Sequence, residues 1–128
     1  MVIVITDTPE DSREIRDFFA ANGLKVRTVP IEGFEEGLKG KVDLIVYDTY
    51  QLRPTDIENI HLAERAHIPI LLITAYPDDK DKEEVSKLWR GGLIKGYLLK
   101  PVSHEMLAGF LSSTKSLCIS YQPEGAMR

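Results

Sequence analysis

A chain of 128 residues has room for one domain at about 100 to 200 residues each, which excludes a multidomain enzyme. Sixteen Lys and Arg against twenty Asp and Glu leave a formal net charge of −4, so no surplus of positive charge is on offer to a nucleic-acid backbone or an anionic membrane. The apolar run Met1 to Ile5 is too short for a signal peptide, nothing reaches the roughly 20 apolar residues of a membrane span, and a single cysteine, Cys118, fits a reducing compartment. The expectation is one cytoplasmic domain without direct nucleic-acid or membrane contact.

Short apolar runs separated by helical segments read as buried parallel strands and their crossover helices. The first strand is Val2 to Ile5; Thr8-Pro9 supplies an N-cap with proline at the first helical position, and Ile15, Phe18 and Phe19 mark one face of the first helix. Gly23 stops it, and Leu24 to Val29 is the second strand, closed by Pro30. The stretch Ile31 to Lys39 contains Gly33 and Gly37, each costing about 1 kcal/mol in a helix interior, so a short helix or irregular loop is expected. Val42 to Tyr47 is the third strand. Thr55 and Glu58 have capping-box spacing for a third helix that carries Ile57, Ile60 and Ala63 and runs to about His67. Ile68 to Ile73 is the fourth strand, with Pro69 near its start. The acidic run after Pro77 opens a fourth helix with Val85, Leu88 and Trp89 as its inward residues, ending at Gly91-Gly92. Gly96 to Leu99 is the fifth strand, and Ser103 caps a fifth helix whose apolar face is Met106, Leu107, Phe110 and Leu111.

Five such units predict an α/β fold: a flavodoxin-like, doubly wound, five-stranded parallel sheet of order 2-1-3-4-5 with five helices. Ligands in such sheets bind beyond the carboxyl ends of the strands, at the switch point between the first and third. Polar residues follow those ends: Asp7 after the first strand, Asp48 after the third, Thr74 after the fourth and Lys100 after the fifth. Two carboxylates at one mouth need a proton, an ammonium or a divalent cation to offset their repulsion. Oxygen donors without thiolate or imidazole suit Mg2+. A carboxylate can also serve as a nucleophile towards phosphorus, and Asp48 stands in the position for it.

The segments VIVITD, DLIVYD, PILLITA and GYLLKP, in this order and spacing, resemble the receiver domain of two-component response regulators (the CheY-like family) over residues 1–115, leaving 116–128 as a short tail or the start of a linker. The resemblance implies a phosphoacceptor at Asp48, served by a histidine kinase or phosphotransfer protein and able to lose its phosphoryl group by autodephosphorylation; it does not imply a dedicated enzyme. It further implies Mg2+ held by Asp7, Asp48 and the Tyr50 backbone carbonyl. Lys100, in a cis peptide with Pro101, would contact the phosphoryl oxygens. Thr74 would join Asp48 and Lys100 in the catalytic set by hydrogen-bonding the phosphoryl group after a small shift, and Tyr97 would turn inward with it as the other half of a switch pair, altering a face of helix four, strand five and helix five. That face would meet a downstream effector or a second copy of the chain.

The chain departs from the family pattern in three places. Thr6 stands where an acidic residue is usual, Leu52 and Pro54-Thr55-Asp56 replace the usual proline and glycine after the phosphoacceptor, and the approach to strand five is one residue longer. These departures motivate a second reading, a degenerate receiver that acts as a phosphorylation-independent interaction module. A mononucleotide-binding flavodoxin-like enzyme is disfavoured, because Asp7-Thr8-Pro9-Glu10-Asp11 is acidic where a phosphate loop would be rich in Ser, Thr and Gly.

Overall fold

The three inner apolar runs have no polar face, so each can only be covered on both sides, and the chain answers with helices on both faces of one sheet. The computed structural model describes residues 1–6, 9–75 and 79–113. The strands are β1 (Val2–Thr6), β2 (Val26–Pro30), β3 (Leu44–Asp48), β4 (Ile70–Thr74) and β5 (Gly96–Leu99). The helices are α1 (Arg13–Ala21), α2 (Phe34–Gly37), α3 (Pro54–Arg65), α4 (Asp79–Arg90) and α5 (His104–Ser113). All the strand pairs are parallel, in the order β2-β1-β3-β4-β5, which is the topology expected from the alternation of runs. No helix among the described residues is long and apolar enough to cross a membrane.

Successive strand side chains point to opposite faces, and two cores result. Ile3, Ile5, Ile45, Tyr47, Ile70 and Leu72 pack against Phe34 of α2, Ile60 and Ala63 of α3, and Val85 and Leu88 of α4. Val2, Val4, Leu44, Val46, Leu71 and Ile73 pack against Ile15, Phe18 and Phe19 of α1 and Leu107 and Phe110 of α5. The same parity decides where the strand-end residues face. Thr6 and Asp48 continue the α1/α5 side, Thr74 continues the α3/α4 side, and Tyr97, paired with Leu72, faces α4. At Gly96 a Cβ would lie 3.1 Å from the Phe110 ring, so the missing side chain is what lets α5 close on β5.

Several local expectations are corrected. Residues 9–12 form a 3-10 turn and α1 begins only at Arg13; Thr8, the expected cap, lies outside the described residues. β2 starts at Val26, with Leu24 buried just before it, and Pro30 ends it on the sheet edge, where a missing N–H is tolerated. The third helix starts one residue before the expected Thr55/Glu58 box. Pro54 takes the first helical position, which forces Arg53 into extended backbone, and the Arg53 N–H donates to the Asp56 carboxylate at 2.8 Å. This helix ends at Arg65 and is closed by His67 at φ 59°, a left-handed position more often filled by glycine. Trp89 is not inward but 51% exposed, since Val85 and Leu88 already fill the space under α4. The short α2, the Ser103 cap, which accepts a hydrogen bond from the Met106 N–H at 3.2 Å, and the glycine stop at Gly92 (φ 77°) agree with expectation.

One polar network crosses the α3/α4 core. The Tyr47 hydroxyl donates to Asp56 at 2.5 Å and accepts from the Asn59 amide at 3.0 Å, while the Arg53 guanidinium reaches Asp56 at 3.1 Å. Burial, reinforced by the Asp56 carboxylate that accepts its proton, pushes the Tyr47 phenol well above its ordinary value of 10.0. A phenol held protonated in the folded state contributes stability that is complete below the unfolded value near pH 10 and is lost as pH rises beyond it. The alkaline limb of a urea-unfolding pH series will therefore be shallower in Tyr47→Phe than in the parent chain. At pH 7, Tyr47→Phe will cost about 1–2 kcal/mol, and Asp56→Ala, which strands the phenol and uncaps α3, about 3 kcal/mol. The double variant will cost less than the sum of the two.

Candidate functional site at the carboxyl ends of the strands

The switch point lies between β1 and β3, where the chain leaves β1 for β2 on one side and returns to β3 on the other. Thr6 and Asp48 are register partners there, and the Thr6 hydroxyl donates to Asp48 Oδ2 at 3.2 Å. Asp48 is 1% exposed. An isolated carboxylate would not remain charged at such a depth, and here the compensation comes from β5: Lys100 Nζ lies 2.7 Å from Asp48 Oδ1. Lys100 is delivered by the sheet itself, because its N–H donates to the Thr74 carbonyl at 3.0 Å and so extends the β4–β5 ladder one residue past the strand. The Lys100–Pro101 peptide is cis, as the resemblance implies.

The β3–α3 loop also follows the sheet. Its Thr49 N–H donates to the Ile73 carbonyl at 3.0 Å, and the Ala75 N–H donates to the Tyr50 carbonyl at 3.1 Å. Thr49 Oγ1 donates to the Gln51 carbonyl at 3.1 Å, tightening the turn. Thr74 faces away from Asp48, and its hydroxyl donates to the Tyr50 carbonyl at 3.0 Å. The Tyr50 side chain itself is 61% exposed. Asp48, Tyr50, Ala75 and Lys100 line one pocket of about 610 Å³, whose other wall is Glu14 and Ile15 of α1 with Pro101 and Val102.

The structure thus brings Asp48, Lys100 and Tyr50 to one pocket, and ties Thr74 to the Tyr50 carbonyl rather than to the carboxylate. Asp7 lies outside the described residues. Tyr97 stands apart from the pocket, 37% exposed, with its ring edge-on to Trp89 at 5.7 Å between centroids. Two further residues belong to the site. Glu14 adds a carboxylate to the pocket wall, and its place in the first turn of α1 was the available signal. Thr6 was noticed as a departure, although the pairing register that makes it a ligand of Asp48 requires the sheet to be known.

No protein-family model and no curated protein matches the chain. Solved structures do. A response regulator protein from Burkholderia multivorans aligns with a TM-score of 0.65 at 21% identity, covering 89% of this chain and 93% of that one. A CheY-like response regulator receiver domain protein from Methanospirillum hungatei gives 0.68 at 16%, covering 90% and 93%. The C-terminal segment of E. coli RcsC, containing a phosphoreceiver domain, gives 0.68 at 17%, covering 91% and 87%. The chain has the receiver-domain fold. The buried Asp48–Lys100 pair sits at the carboxyl ends of β3 and β5 of that fold.

Removing Lys100 leaves a carboxylate of 1% exposure without its counter-charge. Lys100→Met is expected to cost about 2 kcal/mol by urea denaturation, the Lys100 side chain being 25% exposed and the pair therefore partly hydrated. Asp48→Asn placed in the Lys100→Met background will restore most of that loss, because the stranded charge sets the cost.

Proposed function

We propose that this domain is a response-regulator receiver that takes a phosphoryl group onto Asp48 from the phosphohistidine of a kinase or phosphotransfer protein. The observation that carries the reading is the buried Asp48 carboxylate held 2.7 Å from Lys100 at the switch point of the sheet. In the transfer an Asp48 oxygen bonds to phosphorus as the P–N bond breaks, and the departing imidazole keeps the electron pair and takes a proton. Lys100 then balances the phosphoryl oxygens in place of the free carboxylate. Attack of water on the acyl phosphate returns Asp48 and inorganic phosphate, so the domain resets itself without being a dedicated enzyme.

The pocket suits Mg2+ in its donor chemistry. Asp48 and Glu14 offer carboxylate oxygens, Tyr50 lines it beside them, and no thiolate or imidazole does. Mg2+ keeps several waters and takes one or two carboxylates, so a sparse set of oxygen donors is enough. Asp7, Asp48 and the Tyr50 carbonyl would hold it, and when bound it would neutralise charge on the transferring phosphoryl group. The receiver module in this reading spans residues 1–115, and 116–128 is tail or linker. Trp89, Tyr97 and Leu99 leave an exposed apolar strip along α4 and β5, which supports an output face there for an effector or a second copy. A cytoplasmic setting follows from the same reading.

Thr6 favours a second reading. A hydroxyl occupies the place of a family carboxylate and is already bonded to Asp48, which suits a degenerate receiver that signals by contact alone. Acetyl phosphate with magnesium chloride separates the two. Intact mass will show gain of one phosphoryl group in the parent chain and none in Asp48→Asn; a folded parent that gains nothing establishes the second reading.

A further inference from the structure

Tyr47 and Asp48 are neighbours on β3 and face opposite ways. Asp48 goes to the pocket side, where Lys100 meets it at 2.7 Å, and Tyr47 goes to the α3/α4 core, where it is fully buried. At the far end of that side chain the Tyr47 hydroxyl donates to Asp56 and accepts from Asn59, both on α3. Asp56 lies nine residues beyond Tyr47 and also accepts the Arg53 N–H, so side chains close the stretch from the end of β3 to the first turn of α3 into one hydrogen-bonded loop. Asp48, Thr49 and Tyr50 lie within it. We infer that Tyr47 and Asp56 are positioning residues for the Asp48 carboxylate, a clamp on the opposite face of the sheet that keeps it aligned with Lys100 and so governs its reactivity.

The physical reason is that strand ends open locally at low cost unless something beyond the ladder holds them. Past Asp48 the ladder to β4 supplies two further bonds, from the Thr49 N–H to the Ile73 carbonyl and from the Ala75 N–H to the Tyr50 carbonyl. For Asp48 to swing away from Lys100 the end of β3 must twist, and the twist carries Tyr47 with it through the peptide they share. That motion parts a phenol from a carboxylate inside an apolar core, where each is costly without the other. The clamp is built at the positions where the chain departs from the receiver pattern. Pro54 holds Arg53 in extended backbone, which aims the Arg53 N–H at Asp56. The altered loop after Asp48 is thus a fastening of its own kind. The inference rests on the receiver reading for the reaction that the clamp governs, and on the hydrogen bonds for the clamp itself.

The test uses the whole chain, amide hydrogen exchange read by NMR, and acetyl phosphate with magnesium chloride as the phosphoryl donor, acetate leaving as the Asp48 oxygen bonds to phosphorus. In Tyr47→Phe, which keeps the aromatic ring and removes the hydroxyl, the Thr49 amide should lose about fivefold in protection relative to the Val4 amide in the middle of β1, the worth of one hydrogen bond. The maximal rate of labelling, followed by intact mass, should fall by a similar factor at an unchanged half-saturating concentration of acetyl phosphate, because no group that meets the donor has been removed. Val85→Ala, an ordinary truncation in the same core, should lower the protection of both amides alike and leave that rate as it is. A residue that only stabilises the fold would act on both amides equally. Equal loss at Thr49 and Val4 in Tyr47→Phe, a loss confined to Thr49 in Val85→Ala as well, or an unchanged maximal rate in folded Tyr47→Phe when the parent labels, overturns the clamp. The two proposals fail separately: a chain in which Tyr47→Phe loses Thr49 protection selectively but whose parent takes no phosphoryl group from acetyl phosphate keeps the clamp on Asp48 and loses the transfer reaction.

Discussion

The arrangement at the strand ends depends on burying one carboxylate. Asp48 sits at 1% exposure in the middle of the sheet, and a carboxylate at that depth needs both a counter-charge and a hydrogen-bond donor. The donor is Thr6, which the parallel register of β1 and β3 sets directly opposite. The counter-charge is Lys100, which can reach only because β5 runs parallel to β4 and its ladder continues through the Lys100 N–H to the Thr74 carbonyl. Three strands are thereby tied at their carboxyl ends by side chains as well as by backbone.

A second buried carboxylate does comparable work on the other face. Asp56 accepts the Tyr47 phenol, the Arg53 backbone N–H and the Arg53 guanidinium. Tyr47 immediately precedes Asp48 on β3, and Arg53 immediately precedes α3, so this network fixes both ends of the short loop that carries Tyr50. The two acids have opposite strategies. Asp56 is met by a helix N-terminus, a phenol and the guanidinium of a residue three positions away, which hold it in place; Asp48 is met by a flexible lysine that can follow charge elsewhere.

Most of the architecture was legible because it depends on patterns of one strand or one helix. Apolar runs of four to six residues, glycine stops and the strand-end residues Asp48, Thr74 and Lys100 were sufficient for the topology and for one mouth of the site. What escaped depends on relations between elements. The start of α3 turned on a choice between two acids, Asp56 and Glu58, spaced three residues after Arg53 and Thr55, and the constraint that Pro54 puts on Arg53 decides it. Trp89 looked inward because it continues the stripe of Val85 and Leu88. β5 is a four-residue edge strand, however, and a large ring at that border lies over Tyr97 instead of beneath it. The direction of the Thr74 hydroxyl was hidden for a related reason. Its partner is a backbone carbonyl 24 residues away, brought there by a ladder that no spacing rule displays.

The distance between the pocket and the α4–β5 strip bears on how a change at one could be felt at the other. In the proposed reading the closed arrangement is held by the Thr74 hydroxyl on Tyr50 and, two residue pairs along the β4–β5 ladder, by the Tyr97–Trp89 edge contact. A hydrogen bond is worth about 1 kcal/mol net, and an edge-to-face aromatic pair about 0.5–1.5 kcal/mol. Together they favour that arrangement by a preference of at most about 2 kcal/mol. A ligand that takes over the Thr74 donor removes roughly half of that preference by itself. The remainder lies in the Trp89 contact, so a partner that covers Trp89 or displaces it from Tyr97 would act on the same balance from the outside.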